Sequence, residues 1–94
     1  MKKTIAIDFD NTWDVDFDFW IAVCKLANAR GHRVVCVSCR ENKESERLLI
    51  RGMVGAYVPI RLTSGSSKKW YMESIGEPVD IWIDDDPQSI LSGK

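Results

Sequence analysis

Two short apolar runs, each ending in a cluster of aspartates, constrain this chain more than any other feature. Ile5, Ala6 and Ile7 lead into Asp8 and Asp10, and Ile81, Trp82 and Ile83 lead into Asp84, Asp85 and Asp86. Apolar, β-branched runs of this kind read as strands buried on both faces, the type found in parallel sheets. Residues 33–38, built on Val34, Val35, Cys36 and Val37, read the same way. Residues 55–60 give a weaker candidate, and its Pro59 suits a sheet edge.

Helical patterns separate these runs. Phe17, Trp20, Ile21, Cys24 and Ala27 recur at helical spacing. Asp14 and Asp16 before them suit an N-cap and the helix dipole, and Gly31 suits the stop. Residues 43–51 predict a second helix stopping at Gly52, with Arg47, Leu48 and Leu49 on different faces. The turn at 63–67 predicts a cap for a third helix over residues 68–75, ended by Gly76. Pro87 at a first helical position predicts a last short helix through Leu91.

Strands alternating with helices predict an α/β domain with an open parallel sheet and right-handed crossovers. The 94 residues hold one such domain, residues 1–94, with no repeat or linker. A composition 45% hydrophobic and 29% charged excludes wholesale disorder. Absent a membrane-length apolar stretch or a basic-then-apolar leader, a cytoplasmic protein with no membrane partner is expected. The three cysteines make an odd count and read as reduced thiols. Cys36 and Cys39 form a C-x-x-C, but with one histidine, His32, and no second pair they read as small apolar filler rather than a zinc or redox site.

Net charge is only −1, so bulk electrostatics select no partner. Its distribution is uneven. Residues 8–18 hold five aspartates, residues 84–86 hold three more, and residues 40–69 hold seven bases against three acids. A cation and an anion bound at one place fit that pattern. In open α/β sheets ligands bind beyond the carboxyl ends of the strands, where Asp8, Asp10, Ser38, Asp84 and Asp85 all fall. Carboxylates brought that close raise one another's pKa, and a hard divalent cation resolves the conflict, with magnesium the natural choice for all-oxygen ligands. Ser38, Arg40 and Lys68 supply a hydroxyl and cations suited to a phosphoryl group.

The order of these residues is recognisable. Asp8-Phe9-Asp10-Asn11-Thr12 matches D-x-D-x-T after an apolar strand, Ser38-x-Arg40 follows a second strand, Lys68 opens a helix, and Asp84-Asp85 follows a last strand. Over residues 4–87 this resembles the haloacid dehalogenase (HAD) superfamily of aspartyl-phosphate phosphotransferases. The resemblance implies about four parallel strands in the order 3-2-1-4 with helices on both faces. It also implies a magnesium-dependent phosphatase, with Asp8 as nucleophile and Asp10 as general acid and then base. Thr12 would orient the loop, Ser38 would bond the phosphoryl oxygens, and Lys68 would neutralise charge. Magnesium would be held by Asp8, the main-chain carbonyl of Asp10, and Asp85 or Asp84. Spacing alone favours Lys68 over Lys69.

Asn11-Thr12-Trp13 stands where relatives often carry Gly-Thr-Leu, so the turn after Asp8 is expected to differ. The intervals 13–33 and 41–67 leave no room for a cap domain. An open site suits a nucleotide, a nucleic-acid end or another macromolecular phosphate, or a homodimer in which the partner supplies a lid. Asn11 and Arg40 are candidate substrate contacts. Trp13, and less directly Trp70, are candidates for stacking on a base, while Trp20 and Trp82 read as packing. Arg40, Lys43, Arg47 and Arg51 form either a phosphate-tracking strip or a solvated helix face. The alternative function is a non-catalytic magnesium- and phosphate-binding regulatory module with a degenerate site. A receiver-type phosphoacceptor fits poorly, because residues 55–62 contain no acid.

Overall fold

Valine and isoleucine dominate the strands, and their pairing sets the frame. In the computed structural model, which describes residues 1–93, four strands form one parallel sheet: β1 (Thr4–Asp8), β2 (Arg33–Ser38), β3 (Ile60–Leu62) and β4 (Ile81–Ile83). The strand order is β3-β2-β1-β4, as the resemblance implied. Four α-helices connect and follow the strands: α1 (Phe17–Ala29), α2 (Glu44–Val54), α3 (Lys68–Ser74) and α4 (Gln88–Ser92).

The two-residue alternation of the strands divides the core between the faces of the sheet. Ile7, Val34, Cys36, Ile60 and Leu62 pack with Cys24 and Ala27 of α1 and Ile50 and Val54 of α2. Ala6, Val35 and Val37 pack on the other face against Met72 of α3. Helices therefore cover both faces. No helix is long and apolar enough to cross a membrane among the described residues.

Caps bound the helices much as the sequence predicts. The Asp16 side chain accepts from Phe19 N at the start of α1, and Ser67 accepts from Trp70 N at the start of α3. Two boundaries move. α2 runs through Gly52 and ends at Gly55, whose positive φ of 93° is backbone that glycine adopts at little cost. Ile50 and Val54, one turn apart and both buried, hold the helix across Gly52 against glycine's cost of about 1 kcal/mol. β3 occupies residues 60–62 rather than 55–60, because Pro59 can contribute only its carbonyl, which accepts from Cys36 N. β3 does lie at an edge.

Trp13 is a correction. It forms a short 3-10 turn with Asp14 and Val15, has no exposed surface, and packs in the larger core cluster. A ring so enclosed stacks on nothing that enters from solvent, so Trp13 is core and not a substrate contact. Trp70 is exposed on α3, while Trp20 and Trp82 pack against the two core clusters.

The packing of α2 makes a prediction. Ile50 is fully buried and Leu48 is 61% exposed. Ile50→Ala should cost about 2–5 kcal/mol in chemical denaturation, and Leu48→Ala less than about 0.5 kcal/mol. Equal costs would mean that α2 presents a different face to the sheet.

Candidate functional site

Register brings the two acidic clusters together. β1 and β4 pair in parallel with Ala6 opposite Trp82 and Ile7 opposite Ile83, so Asp8 and Asp84 come level one step beyond. Ala6 and Trp82 face α3, and by strand alternation so do Asp8 and Asp84. Asp8, Asp84 and Asp85 each place a carboxylate oxygen so that the three atoms lie within 4.8 Å of one another.

Lys68, the first residue of α3, reaches into this group from above the same face. Its ammonium donates to Asp8 Oδ1 at 2.7 Å and to Asp84 Oδ2 at 2.6 Å, with only 2% of its side chain exposed. Lys69, one position on, is exposed and pairs with Glu73 on its own helix. Lys68 is therefore the lysine at the site. Thr12 Oγ1 lies 3.3 Å from both Asp8 Oδ2 and Asp85 Oδ1, linking the two carboxylates. The Thr12 carbonyl in turn accepts from the Trp20 indole at 2.8 Å, which ties the loop to α1. Asp84 is held further by Ser89 Oγ and by the backbone N–H of Asp86.

In the buried part of the cluster two carboxylates, Asp8 and Asp84, bond one ammonium, and the exposed Asp85 carboxylate lies beside them. Burial first, then the Asp85 and Asp84 carboxylates, push Asp8 up to about 7 despite the opposing pull of Lys68. Burial works against the Lys68 charge, but the bonds to Asp8 and Asp84 outweigh it and hold its pKa above the usual lysine range. A hard divalent cation fits these residues: the donors are all oxygen, and its charge would supply what the buried group lacks.

Asp10 belongs to a neighbouring group. Arg40 grips it in a two-bond fork, Nε to Oδ2 at 3.1 Å and Nη2 to Oδ1 at 2.7 Å. The third guanidinium nitrogen, Nη1, donates to Glu46 of α2 at 2.8 Å, and the group lies over the Phe9 ring. Asp8, Asp10, Cys39, Arg40 and Lys68 line one cavity of about 230 Å³. A larger one, about 370 Å³, lies between α1 and the turn after α2, and Lys25 is the one charged residue among those lining it. Size alone does not mark the candidate site.

The remaining expected residues are less directly placed. Ser38 is fully buried at the end of β2, where its hydroxyl accepts from Arg40 N at 3.2 Å, and it does not line the 230 Å³ cavity. Asn11 is exposed in the turn and does not line the cavity either; its φ of 61° gives it a backbone task that glycine often performs. The basic strip on α2 is largely paired off: Lys43 with Glu41, Arg47 with Glu44, and Arg51 with carbonyls of the following turn. Cys24 and Cys36 are buried filler, whereas Cys39 is partly exposed at the cavity; all three are free thiols. Sequence reasoning missed Glu46, which nothing in the pattern around it marks, and it read Cys39 of the C-x-x-C as apolar filler, whereas Cys39 lines the cavity.

Two predictions follow from these charges. Asp8 titrates near 7 in the fold against 3.8 unfolded, so the fold binds a proton more tightly than the unfolded chain between those values. Stability from this group is present at low pH and lost as pH rises through about 7. In chelator, the melting temperature should fall by several degrees between pH 5.5 and 8, and magnesium should restore it at pH 8. A flat or rising profile contradicts the charge imbalance. At pH 8, Lys68→Met should cost about 3–5 kcal/mol by leaving buried carboxylates unpaired, and Lys69→Met less than about 0.5 kcal/mol; equal effects contradict the assignment of Lys68.

Comparison with profiles of known protein families, with curated protein sequences and with solved structures finds no match to this chain in any of the three.

Proposed function

We propose that this chain is a magnesium-dependent phosphatase of the capless HAD type, working through a phosphoryl group carried on Asp8. The observation that carries the reading is the buried Asp8–Lys68–Asp84 arrangement, with Asp85 alongside, at the carboxyl edge of a sheet ordered β3-β2-β1-β4. Asp8 and Asp84 set two buried carboxylates on the one ammonium of Lys68, one negative charge more than the lysine balances. A site that is to receive a cation has reason to carry that excess.

Asp8, Asp84 and Asp85 would hold the magnesium ion, together with the main-chain carbonyl of Asp10. Bound there, the ion would neutralise carboxylates and offset phosphoryl charge. In the chemical step an Asp8 carboxylate oxygen attacks phosphorus in line with the leaving oxygen. The new Asp8 O–P bond forms as the ester P–O bond breaks, and the departing oxygen takes a proton from Asp10, which carries one only once a carboxyl oxygen is released from the Arg40 fork. Water then attacks the phosphorus, Asp10 takes its proton, and the acyl-phosphate P–O bond breaks to return Asp8 and inorganic phosphate. Lys68, beside Asp8 Oδ1, stabilises negative charge at the nucleophile throughout. Arg40 orients Asp10 through its two-bond grip. Ser38, buried behind the cavity wall, shapes the loop by accepting from Arg40 N.

The open cavity, with no cap in the chain, supports a substrate that shields its own phosphate, such as a nucleotide, a nucleic-acid end or a phosphoprotein. A homodimer supplying a lid belongs to the same reading. Three free thiols accord with a reducing, cytoplasmic setting.

The test is phosphate release from p-nitrophenyl phosphate. We expect turnover with magnesium, none in chelator, and a loss of at least about a thousandfold in Asp8→Asn. Full turnover in Asp8→Asn excludes Asp8 as nucleophile. Magnesium and phosphate binding with no hydrolysis across a panel of phosphate esters would instead favour the non-catalytic regulatory module.

A further inference from the structure

Both cations that line the cavity are already engaged by carboxylates, and in different ways. Lys68 is buried between Asp8 and Asp84, so an anion reaches it only at their expense. Arg40 is about one-third exposed and divides its charge between Asp10, at the cavity, and Glu46, on α2 outside it. A guanidinium carries five N–H donors: one on Nε and two on each terminal nitrogen. Three are spent, on Asp10 Oδ2, Asp10 Oδ1 and Glu46 Oε2. One N–H on Nη1 and one on Nη2 remain as donors for phosphoryl oxygens.

We propose that Arg40 is the anion-receiving group of the cavity and that Glu46 sets how tightly it holds a phosphoryl anion. The inference rests on the phosphatase reading and adds a residue that the D-x-D, Ser-x-Arg, Lys and Asp-Asp pattern does not contain. Asp10 keeps Arg40 at the cavity wall through the fork on Nε and Nη2. Glu46 draws on the same positive charge from the far side, through Nη1, and competes with any phosphoryl oxygen there. Free phosphate, the product of the reaction, is then held more weakly than Arg40 alone would hold it. Glu46 is a positioning and affinity-setting residue, since it acts through Arg40 and does not line the cavity.

Glu46→Gln tests this, because the amide keeps the shape and can still accept from Nη1 while the charge is gone. The readout is the Kd for inorganic phosphate, measured by calorimetry with magnesium chloride present. Glu44→Gln serves as control, since it removes an equal charge from the same helix at a residue paired with Arg47. We expect Glu46→Gln to tighten phosphate binding roughly two- to fivefold, the scale of a partly exposed charge pair. Glu44→Gln should leave Kd unchanged, and Arg40→Lys should weaken it. Unchanged or weaker binding in Glu46→Gln, with a normal melting curve, overturns the inference and leaves the phosphatase reading standing. Equal tightening in both glutamine variants also overturns it, by reducing the effect to net charge. Failure of the unaltered protein to bind phosphate at all overturns both.

Discussion

Two carboxylates, Asp8 and Asp84, share the Lys68 ammonium at the carboxyl edge of the sheet with Asp85 close by, and much of the surrounding structure serves to hold them there. Separately, each group would be better solvated in water, so the fold must impose their meeting. Parallel pairing of β1 with β4 fixes Asp8 level with Asp84. Ser67 caps α3 and also donates through Oγ to the Ile90 carbonyl, so the helix that delivers Lys68 is tied to α4. The cluster is precise because rigid elements carry it: two adjacent strands and the first turn of a helix.

The loops around that frame are zipped to one another. Thr63 N bonds the Ser38 carbonyl, Gly65 N that of Cys39 and Ser64 N that of Arg40, extending the β2–β3 pairing past the strands. Ser64 takes a φ of 52° in doing so, and its hydroxyl accepts from Asn42 N. The segment that carries Arg40 is thus fixed to the turn that starts α3, and the two cations of the cavity share one support. On the other side Trp20 secures the Thr12 carbonyl. Backbone hydrogen bonds between these loops are what order the wall of the cavity.

Much of this was legible in the sequence, for physical reasons. Buried parallel strands are continuous apolar runs, so β1, β2 and β4 announce themselves, and the acids at their ends are conspicuous because they interrupt such runs. Asp16, Ser67 and Pro87 mark helix starts through local chemistry that depends on no distant partner. The misplaced features depend on tertiary context. Gly52 looks like a stop until Ile50 and Val54 are seen packed beneath the helix. Trp13 looks like a ring beside the site until the 3-10 turn carries it into the core. Lys68, by contrast, is favoured over Lys69 on spacing alone, and α3 packing, with about 100° of helix rotation between the two, places Lys68 against Asp8 and Asp84. Arg40, Asp10 and Glu46 come from three elements, and only the fold brings them together.

A phosphatase of the proposed kind requires the acidic cluster to be a cation site. Titration calorimetry of magnesium into the protein at pH 7.5 measures it directly. One ion should bind per chain, and the heat should disappear in Asp85→Asn, which removes an exposed carboxylate without unpairing Lys68. No binding at millimolar magnesium, or undiminished binding in that variant, would contradict the reading of Asp8, Asp84 and Asp85 as one centre.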